Sequence, residues 1–239
     1  MLLTACSGSA PPPASVEGKV VHPSSGPTVE ASGRPCSHYT LIGQVRVPVA
    51  AARIKPDRSA RIAGRFPRVN QQGAVQVFPL LEEATHAGHV WYRAMLPIRP
   101  NGITGWILDR DVRLQRSDYH LEVDLERFRL HVFHLCREIA TYPVGVGDGE
   151  TPTPKGTFFL NSLLKPPDPG TVYGAFAFGL SGYSDVIHDW TWGGVVGLHG
   201  TNDPSSIGHA VSHGCIRLRN ADIRVLARML PLGTLIRIR

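Results

Sequence analysis

Hydrophobic and polar positions alternate most clearly in the second half of the chain, from residue 118 onward. Between Tyr119 and Leu125 every second residue is apolar and the residues between them are polar. A period of two is typical of a strand that buries one face. A turn is expected at Glu126 and Arg127, and four further segments have strand-like patterns. These segments are 129–135, 140–147, 157–160 and 235–239.

One segment near the end of the chain has helical spacing instead. Its apolar positions are Ile223, Leu226, Ala227 and Leu230. Residues three and four apart lie on one face of a helix, so this spacing predicts a helix that packs on the sheet. Asn220 or Ala221 is expected to begin it, and Pro231 to end it.

Two features interrupt the strand pattern. Pro143 cannot donate a ladder hydrogen bond, which predicts a sheet edge or a bulge at that point. Residues 165–194 are rich in glycine, proline and aromatic side chains. A segment of this length without a period is expected to be a loop or a lid over a site, because such loops are usually functional.

The first half, from about Cys36 to Leu114, contains shorter apolar runs. Strands are expected at 41–47, 74–78, 89–96 and 104–108, with a turn at Pro100-Asn101-Gly102. Short strands at this spacing predict a small barrel. We therefore divide the chain into a leader (1–35), a small β module (36–116) and a larger, mainly β domain with one C-terminal helix (117–239).

The leader opens with Leu3-Thr4-Ala5-Cys6, which resembles a bacterial lipobox. That resemblance makes Cys6 a candidate for lipidation and implies a membrane anchor facing the cell envelope. The alternative is a chance match within an unstructured leader. Residues 7–34 are rich in Pro, Ser, Gly and Ala and are interpreted as a tether.

Composition and charge narrow the classes of partner. The chain has 239 residues, 42% of them hydrophobic and 18% charged, which is ordinary for a globular protein. Its formal net charge of +6 favours anionic partners such as wall polymers or lipid head groups. Nucleic acid is not expected, because the sequence lacks a dense Lys/Arg run interleaved with aromatic residues.

The candidate chemistry is concentrated around Cys215. It follows Gly214, with His213 before it and His199 upstream. A neighbouring imidazole can accept the thiol proton and stabilise the thiolate. Gly214 leaves room beside the sulfur, and the backbone N–H groups of Gly214 and Cys215 are expected to converge on an oxyanion. The pattern indicates acyl transfer by a cysteine and a histidine.

Two other interpretations of Cys215 stay open at this point. It is a buried structural thiol in the first, since cysteine is among the most buried residues. The second is a zinc site made by His199, His209, His213 and Cys215. A helix that would align His209 with His213 is disfavoured by the glycines at 208 and 214.

The segments His199-Gly200-Thr201-Asn202, Ile207-Gly208 and Ser212-His213-Gly214-Cys215-Ile216-Arg217-Leu218 together resemble the signature of the L,D-transpeptidase (YkuD) family. The resemblance covers about residues 118–239. It implies a β-sandwich catalytic domain. In the first half, 91–94 and 101–107 resemble bacterial SH3-like wall-binding modules. The alternative there is that Trp91 and Trp106 are core aromatics of a barrel that binds no peptidoglycan.

Carried over to this sequence, the family resemblance implies a role for each residue of the motif. Cys215 is the nucleophile and His199 the proton donor and acceptor. Gly200 orients His199 through its carbonyl. The supporting and oxyanion residues are His213, Gly214, Gly200 and Ser212. Arg217 and Tyr183 are assigned to substrate binding.

The resemblance also implies a reaction. Cys215 takes the acyl group of a peptidoglycan tetrapeptide stem, releases D-Ala, and transfers the acyl group from a thioester to an amine. The implied thioester makes Cys215 a target for carbapenem-type β-lactams, and no metal or organic cofactor is implied. Water as the acceptor gives an L,D-carboxypeptidase, and a wall-binding protein with a degenerate enzyme domain is the third alternative. Export to an oxidising compartment would allow Cys36 and Cys136 to pair; two free thiols are the alternative.

Overall fold

Residues 39–189 and 193–239 are described in a computed structural model. Seven strands of its first part form one antiparallel sheet, in the order β3-β2-β6-β5-β4-β1-β7. They are β1 (Thr40–Val45), β2 (Val49–Arg53), β3 (Ile62–Pro67), β4 (Val77–His86), β5 (His89–Met95), β6 (Thr104–Leu108) and β7 (Val112–Ser117). Phe66, Phe78, Tyr92 and Ile107 are at the centre of its core.

The sequence predicted this sheet in part. The strands expected at 89–96 and 104–108 are confirmed as β5 and β6, and the turn between them has Gly102 at a φ of 85°. The strand expected at 74–78 begins later, at Val77, and continues to His86. Three strands, β2, β3 and β7, were not predicted, because their apolar residues are small or interspersed with arginine.

Eight strands of the second part form another sheet, in the order β10-β9-β8-β17-β12-β13-β14-β16. They are β8 (Tyr119–Asp124), β9 (Arg129–His134), β10 (Arg137–Pro143), β12 (Gly156–Leu164), β13 (Ala177–Tyr183), β14 (Val195–His199), β16 (Ile216–Arg217) and β17 (Leu235–Ile238). A short parallel pair, β11 (Val146–Gly147) and β15 (Ala210–Ser212), accompanies it. The predicted fold class, mainly β, is confirmed for the described residues.

The helix α1 (Asn220–Met229) also agrees with its prediction. Ile223 and Leu226 are fully buried against the sheet. The helix ends at Met229, and the next residue, Leu230, donates its N–H to the Leu226 carbonyl before Pro231. Pro143 lies at the end of β10, the edge strand of the sheet, as its missing N–H predicted.

The prediction that 165–194 is a structureless loop or lid is wrong for its middle part. Residues 177–183 form β13, which lies inside the sheet between β12 and β14. Small residues are needed there because a methyl group on Gly182 would lie 2.5 Å from the Phe158 ring, and one on Gly179 would lie 2.6 Å from Ser162 Oγ. These glycines reflect close packing of a buried strand rather than loop flexibility.

The two sheets contact each other directly. Ile42 and Val77 of the first pack with Phe159 of the second in a small buried cluster. Ser117 and Thr234 share a buried hydrogen bond of 2.7 Å between their hydroxyl oxygens. The contact brings loops of the first domain, residues 39–117, to one end of the second.

Several predictions fall partly or wholly outside the described residues. Cys6, the tether and Cys36 belong to residues 1–38. Cys136 is disulfide-bonded, but its expected pairing with Cys36 lies outside the described range. Within that range, no helix is long and apolar enough to cross a membrane.

Candidate active site

Cys215 lies in the tight connection between β15 and β16, and Ser212 holds that connection in shape. The Ser212 hydroxyl donates to the Cys215 carbonyl at 2.5 Å and accepts the Gly214 N–H at 3.2 Å. Gly214 has a φ of 102°, which favours glycine. The predicted supporting roles of Ser212 and Gly214 therefore have a clear geometry, that of a hydrogen-bonded turn.

The same geometry changes the expected oxyanion site. The Gly214 N–H is engaged by Ser212 Oγ, so it does not join the Cys215 N–H in an open pair of donors. The oxyanion role of Gly214 remains a prediction. To stabilise an oxyanion, the Gly214 N–H would have to turn away from Ser212 Oγ and toward a bound substrate.

His199 is the last residue of β14 and is almost completely buried. Its Nδ1 lies 2.5 Å from the Gly200 carbonyl oxygen. Because a carbonyl can only accept, Nδ1 carries the hydrogen and Nε2 is left unprotonated. The Gly200 carbonyl thus fixes the tautomer of the ring and leaves Nε2 without a hydrogen. The role of His199 as proton donor and acceptor stays a prediction.

Cys215 and His199 converge on a third residue, Gly197 of β14. The Gly197 N–H donates to Cys215 Sγ at 3.3 Å. A methyl group on Gly197 would lie 3.2 Å from Cδ2 of His199 and 3.5 Å from Cys215 Sγ. The thiol and the Nε2 edge of the imidazole therefore face the same space, which glycine leaves open. Gly197 was not predicted from the sequence; its signal is a glycine two residues before the histidine, on the same face of a strand.

Burial is the main factor that determines the protonation states of His199 and Cys215. The pKa of His199 is lowered to about 4 as the net result of burial, which lowers it most, the Gly200 hydrogen bond, which raises it, and the Arg217 cation, which lowers it. Burial also raises the pKa of Cys215, against the lowering effects of the Gly197 N–H and Arg217. At neutral pH the pair thus rests as a neutral imidazole and a thiol. Proton transfer must accompany attack by the sulfur.

Asn220, the first residue of α1, supports the His199 side of the site. Its side chain accepts the Ala175 N–H at 2.8 Å and donates to the Thr201 carbonyl at 3.0 Å. A methyl group on Gly200 would lie 2.2 Å from Asn220 Oδ1. Gly200 is therefore required for close approach as well as for its carbonyl. From the sequence, Asn220 was expected as a helix start and as part of the family-like C-terminal segment, without a role at the site.

The other side of the cysteine turn is bounded by Asp148, Thr151 and His213. The Asp148 N–H and the Thr151 hydroxyl both donate to the Ser212 carbonyl, at 2.9 and 3.3 Å. Hydrogen bonds from Thr151 lower the pKa of Asp148, with a smaller contribution from the charge of His213. His213 is exposed. It is placed to meet solvent or substrate beside the turn.

The two predicted substrate-binding residues lie in different places. Arg217 pairs with His199 across β16 and β14, and its Nε is buried without a hydrogen-bond partner among the described residues. Tyr183 lies at the contact between domains, where its hydroxyl donates to the Pro97 carbonyl at 2.9 Å. Tyr173 was missed: it is 48% exposed and its ring meets the His199 ring edge-on at 5.2 Å.

A metal-binding cluster is not found among residues 39–189 and 193–239. The zinc alternative required His209 and His213 to join His199 and Cys215. These four residues do not form such a cluster within the described part of the chain.

Comparisons with known proteins identify a family for the second part of the chain. Residues 118–238 match the family model YkuD, the L,D-transpeptidase catalytic domain. Putative L,D-transpeptidases YkuD are 40% identical in Bacillus licheniformis and 38% identical in Bacillus subtilis, each over 116 residues. Both alignments cover 48% of this chain, with 62% and 63% of the respective relative. The chain thus spans less than two thirds of these relatives.

Among solved structures, Bd1075 of Bdellovibrio bacteriovorus is 30% identical, with a TM-score of 0.41. That alignment covers 51% of this chain and 47% of the other. The family model covers half of the chain and includes Cys215, His199 and their supporting residues. The chain therefore belongs to the YkuD family of L,D-transpeptidase catalytic domains.

Proposed function

We propose that this protein is a peptidoglycan L,D-transpeptidase that transfers an acyl group through a thioester on Cys215. The acyl donor is a tetrapeptide stem that ends in diaminopimelate and D-Ala. The acceptor is an amine of a neighbouring stem, and the product is a wall cross-link. As written, this reaction uses a thiol and an imidazole and requires no metal or organic cofactor.

In the first step Cys215 Sγ attacks the carbonyl carbon that joins the L-centre of diaminopimelate to D-Ala. His199 Nε2 takes the thiol proton as the sulfur–carbon bond forms. The same nitrogen then gives the proton to the departing amine of D-Ala. A thioester remains on Cys215, and His199 returns to its neutral form.

In the second step the acceptor amine attacks the thioester carbonyl and loses a proton to His199. The carbon–sulfur bond breaks, and the proton returns to sulfur. Water in place of the amine gives hydrolysis, which is the second candidate function. Because burial keeps His199 unprotonated at neutral pH, its Nε2 is free to accept a proton in both steps.

The observation that carries this proposal is the convergence of Cys215 Sγ and the His199 ring on Gly197. A buried structural thiol does not require a glycine-lined space beside an imidazole. A wall-binding protein with a degenerate enzyme domain has no need of the fixed Nδ1–H tautomer of His199. Both features support a working acyl-transfer pair.

We further propose an extracytoplasmic location, because the tetrapeptide substrate is found in the cell wall. The lipobox-like sequence before Cys6 supports a membrane anchor there, and the basic first domain suits anionic envelope polymers. SH3-like binding of peptidoglycan by the first domain is part of the same proposal. Mass spectrometry of Cys6 in protein purified from membranes tests the anchor.

The test of the reaction is product analysis with a tetrapeptide donor, with and without an added acceptor amine. We expect D-Ala release together with a cross-linked dimer whose yield rises with acceptor concentration. D-Ala release that yields only tripeptide at every acceptor concentration would assign a carboxypeptidase instead. Peptide binding without D-Ala release would favour the wall-binding alternative.

A further inference from the structure

We propose that Gln72, a residue of the first domain, contacts the donor peptide and completes the substrate site beside Cys215. The inference rests on the proposed function and adds a specificity-determining residue from outside the catalytic domain. The proposed contact is a hydrogen bond that the side-chain amide of Gln72 accepts from a peptide N–H. Four observations lead to it.

The first observation is a row of residues across four neighbouring strands. Ser162 of β12 pairs with Gly179 of β13, and Gly179 pairs with Gly197 of β14. Leu198 pairs with Ile216, so Cys215 comes next to Gly197 in the same row. Residues directly opposite one another direct their side chains to the same face. Two residues without side chains, Gly179 and Gly197, therefore lie between Ser162 and Cys215, and we call this part of the sheet face the groove.

The second observation is that Gln72 reaches into this row. A methyl group on Gly179 would lie 2.7 Å from Gln72 Oε1 and 2.8 Å from its Nε2. Since paired Cβ positions of adjacent strands are about 5 Å apart, the Gln72 amide is on the order of 5–10 Å from Cys215 Sγ. An extended peptide covers that distance in two or three residues. A peptide that extends from Cys215 toward Ser162 therefore reaches the side-chain amide of Gln72.

The third observation is that the polar groups at this end of the groove lack partners. Ser162 is 0% exposed and its Oγ makes no hydrogen bond within the described chain; the same holds for the buried Oε1 of Gln72. Both atoms lie within 2.7 Å of the position that a Gly179 methyl group would occupy. Buried polar atoms are almost always paired, so a ligand that brings an N–H donor is expected here.

The fourth observation is that Gln72 is held firmly against the catalytic sheet. Asn70 Oδ1 accepts the N–H groups of Gln72 and Ala74 at 3.0 and 3.1 Å. Asn70 Nδ2 donates to the Asn161 carbonyl at 3.0 Å, and Gln76 donates to the Asn161 side chain at 3.3 Å. This clamp fixes the 70–74 turn relative to β12. A preorganised contact of this kind loses little entropy on binding.

A cavity of about 330 Å³ lies next to Gln72, at the contact between the two domains. Its wall includes Gln72, Asn161, Tyr183 and Val195, and Val195 lies two residues before Gly197 on the same face of β14. Of the described residues that line it, only Arg65 carries a charge. The cavity therefore suits a peptide, whose amide groups can meet the neutral polar side chains and whose carboxylate can meet Arg65. Tyr183, predicted from the sequence to bind substrate, lines this part of the site.

The test measures peptide binding separately from catalysis. The probe is the tetrapeptide L-Ala-γ-D-Glu-diaminopimelate-D-Ala, and its Kd is measured by calorimetry on the full chain carrying Cys215→Ala. Adding Gln72→Met keeps the side-chain length but removes the amide. We expect Kd to rise about tenfold, as for one lost hydrogen bond to a neutral group. Gln115→Ala, on the exposed face of β7, is the matched control and is expected to leave Kd unchanged.

The active enzyme supplies a second readout. In the Gln72→Met variant with Cys215 intact, KM for the tetrapeptide is expected to rise about tenfold while kcat stays within twofold. Alkylation of Cys215 by iodoacetamide, which has no stem peptide, is expected to keep its wild-type rate. A slower alkylation would show that Gln72 acts through the structure of the site, and this would overturn the proposal.

The outcomes also separate this inference from the proposed function. An unchanged Kd in the Gln72→Met variant, or no measurable binding to the Cys215→Ala chain, overturns the role of Gln72 even if the wild-type enzyme forms cross-links. A tenfold rise in Kd supports that role even if the wild-type enzyme releases no D-Ala. In that last case the proposed reaction is contradicted, whereas the peptide-binding role of Gln72 is still supported.

Discussion

The two domains of the molecule divide charge and chemistry between them. Residues 39–117 contain twelve Lys and Arg against five Asp and Glu, whereas residues 118–239 contain eleven against twelve. The basic charge of the described chain therefore belongs to the first domain, and the thiol and imidazole belong to the nearly neutral second domain. Under the proposed function, attraction to an anionic surface and acyl transfer are therefore assigned to separate domains.

The sheets also differ in how they are connected. In the first, all strand pairs are antiparallel, and the first strand, β1, pairs with the last, β7. In the second, the last strand, β17, lies between β8 and β12, parallel to one and antiparallel to the other. Both sheets thus form only when the two ends of their sequences meet, and parallel pairing distinguishes the catalytic sheet. The predictions below test whether changes in the second domain alter catalysis and whether a change in the first domain alters stability while leaving Cys215 reactive.

The largest effect is expected from His199→Ala. Loss of Nε2 removes the base that accepts the thiol proton, and general-base catalysis contributes about 10²–10⁴-fold. Acylation of Cys215 by the tetrapeptide, followed by stopped-flow or quenched mass spectrometry, is expected to slow by that factor. His209→Ala, an exposed histidine of the same region, is the control and should acylate normally. A His199→Ala enzyme that acylates at the wild-type rate contradicts the assignment of the base.

A smaller effect within the same domain is expected from Ser212→Ala. The change removes both hydrogen bonds that shape the turn before Cys215, each worth about 1 kcal/mol. We expect kcat/KM to fall about tenfold to a hundredfold. Ser212→Thr keeps the hydroxyl and is expected to recover most of the activity. Equal loss in both variants would argue against the hydrogen bonds as the cause.

The pH dependence of kcat/KM should come from the second domain alone. Because burial lowers the pKa of His199 to about 4, its imidazole stays unprotonated as the pH falls through 6.5, the ordinary value. Activity is therefore expected to persist to about pH 5 and to fall about tenfold per unit below pH 4. Circular dichroism at each pH confirms that the chain is folded, and His213→Ala is expected to keep the same profile. An acidic limb near pH 6.5 would contradict the buried, neutral base.

The smallest effect is expected from Arg99→Ala, in the first domain. The Arg99 guanidinium donates to the carbonyl groups of Ser184, Ile187 and Gly193 at 3.0, 3.1 and 2.8 Å. Loss of these contacts between domains is expected to lower the free energy of unfolding by about 1–2 kcal/mol. Iodoacetamide should still alkylate Cys215 at the wild-type rate. Thermal denaturation measures this loss of stability. The control is Arg93→Ala, whose exposed ion pair with Glu82 lies within the first domain. It is expected to lower the free energy of unfolding by less than about 1 kcal/mol.

Local patterns predicted those parts of the molecule that neighbouring residues determine. The alternation at 119–125 and the helical spacing at 223–230 correspond to β8 and α1. The strand β13 was missed, because its glycines resemble a loop until the Phe158 ring and Ser162 are seen against them. Sequence spacing alone could not show that packing.

The same distinction between local patterns and contacts of distant residues holds for the candidate active site. The Ser-His-Gly-Cys motif and the upstream histidine were sufficient to predict Cys215 and His199 as the reacting pair, and the structure brings both against Gly197. Gly197, Asn220 and Tyr173 could not be identified, because their roles depend on the parallel pairing of β14 with β16 and on the position of α1. Gln72 required the contact between domains, which no motif in either domain reveals.

The central claim is that Cys215 of the second domain carries the acyl group. The most direct measurement is the intact mass of the protein after exposure to a carbapenem, which a thioester-forming cysteine should open and retain. We expect the wild-type chain to gain one carbapenem mass and the Cys215→Ala chain to gain none, while both keep the same melting temperature. A full adduct on the Cys215→Ala chain would contradict the account.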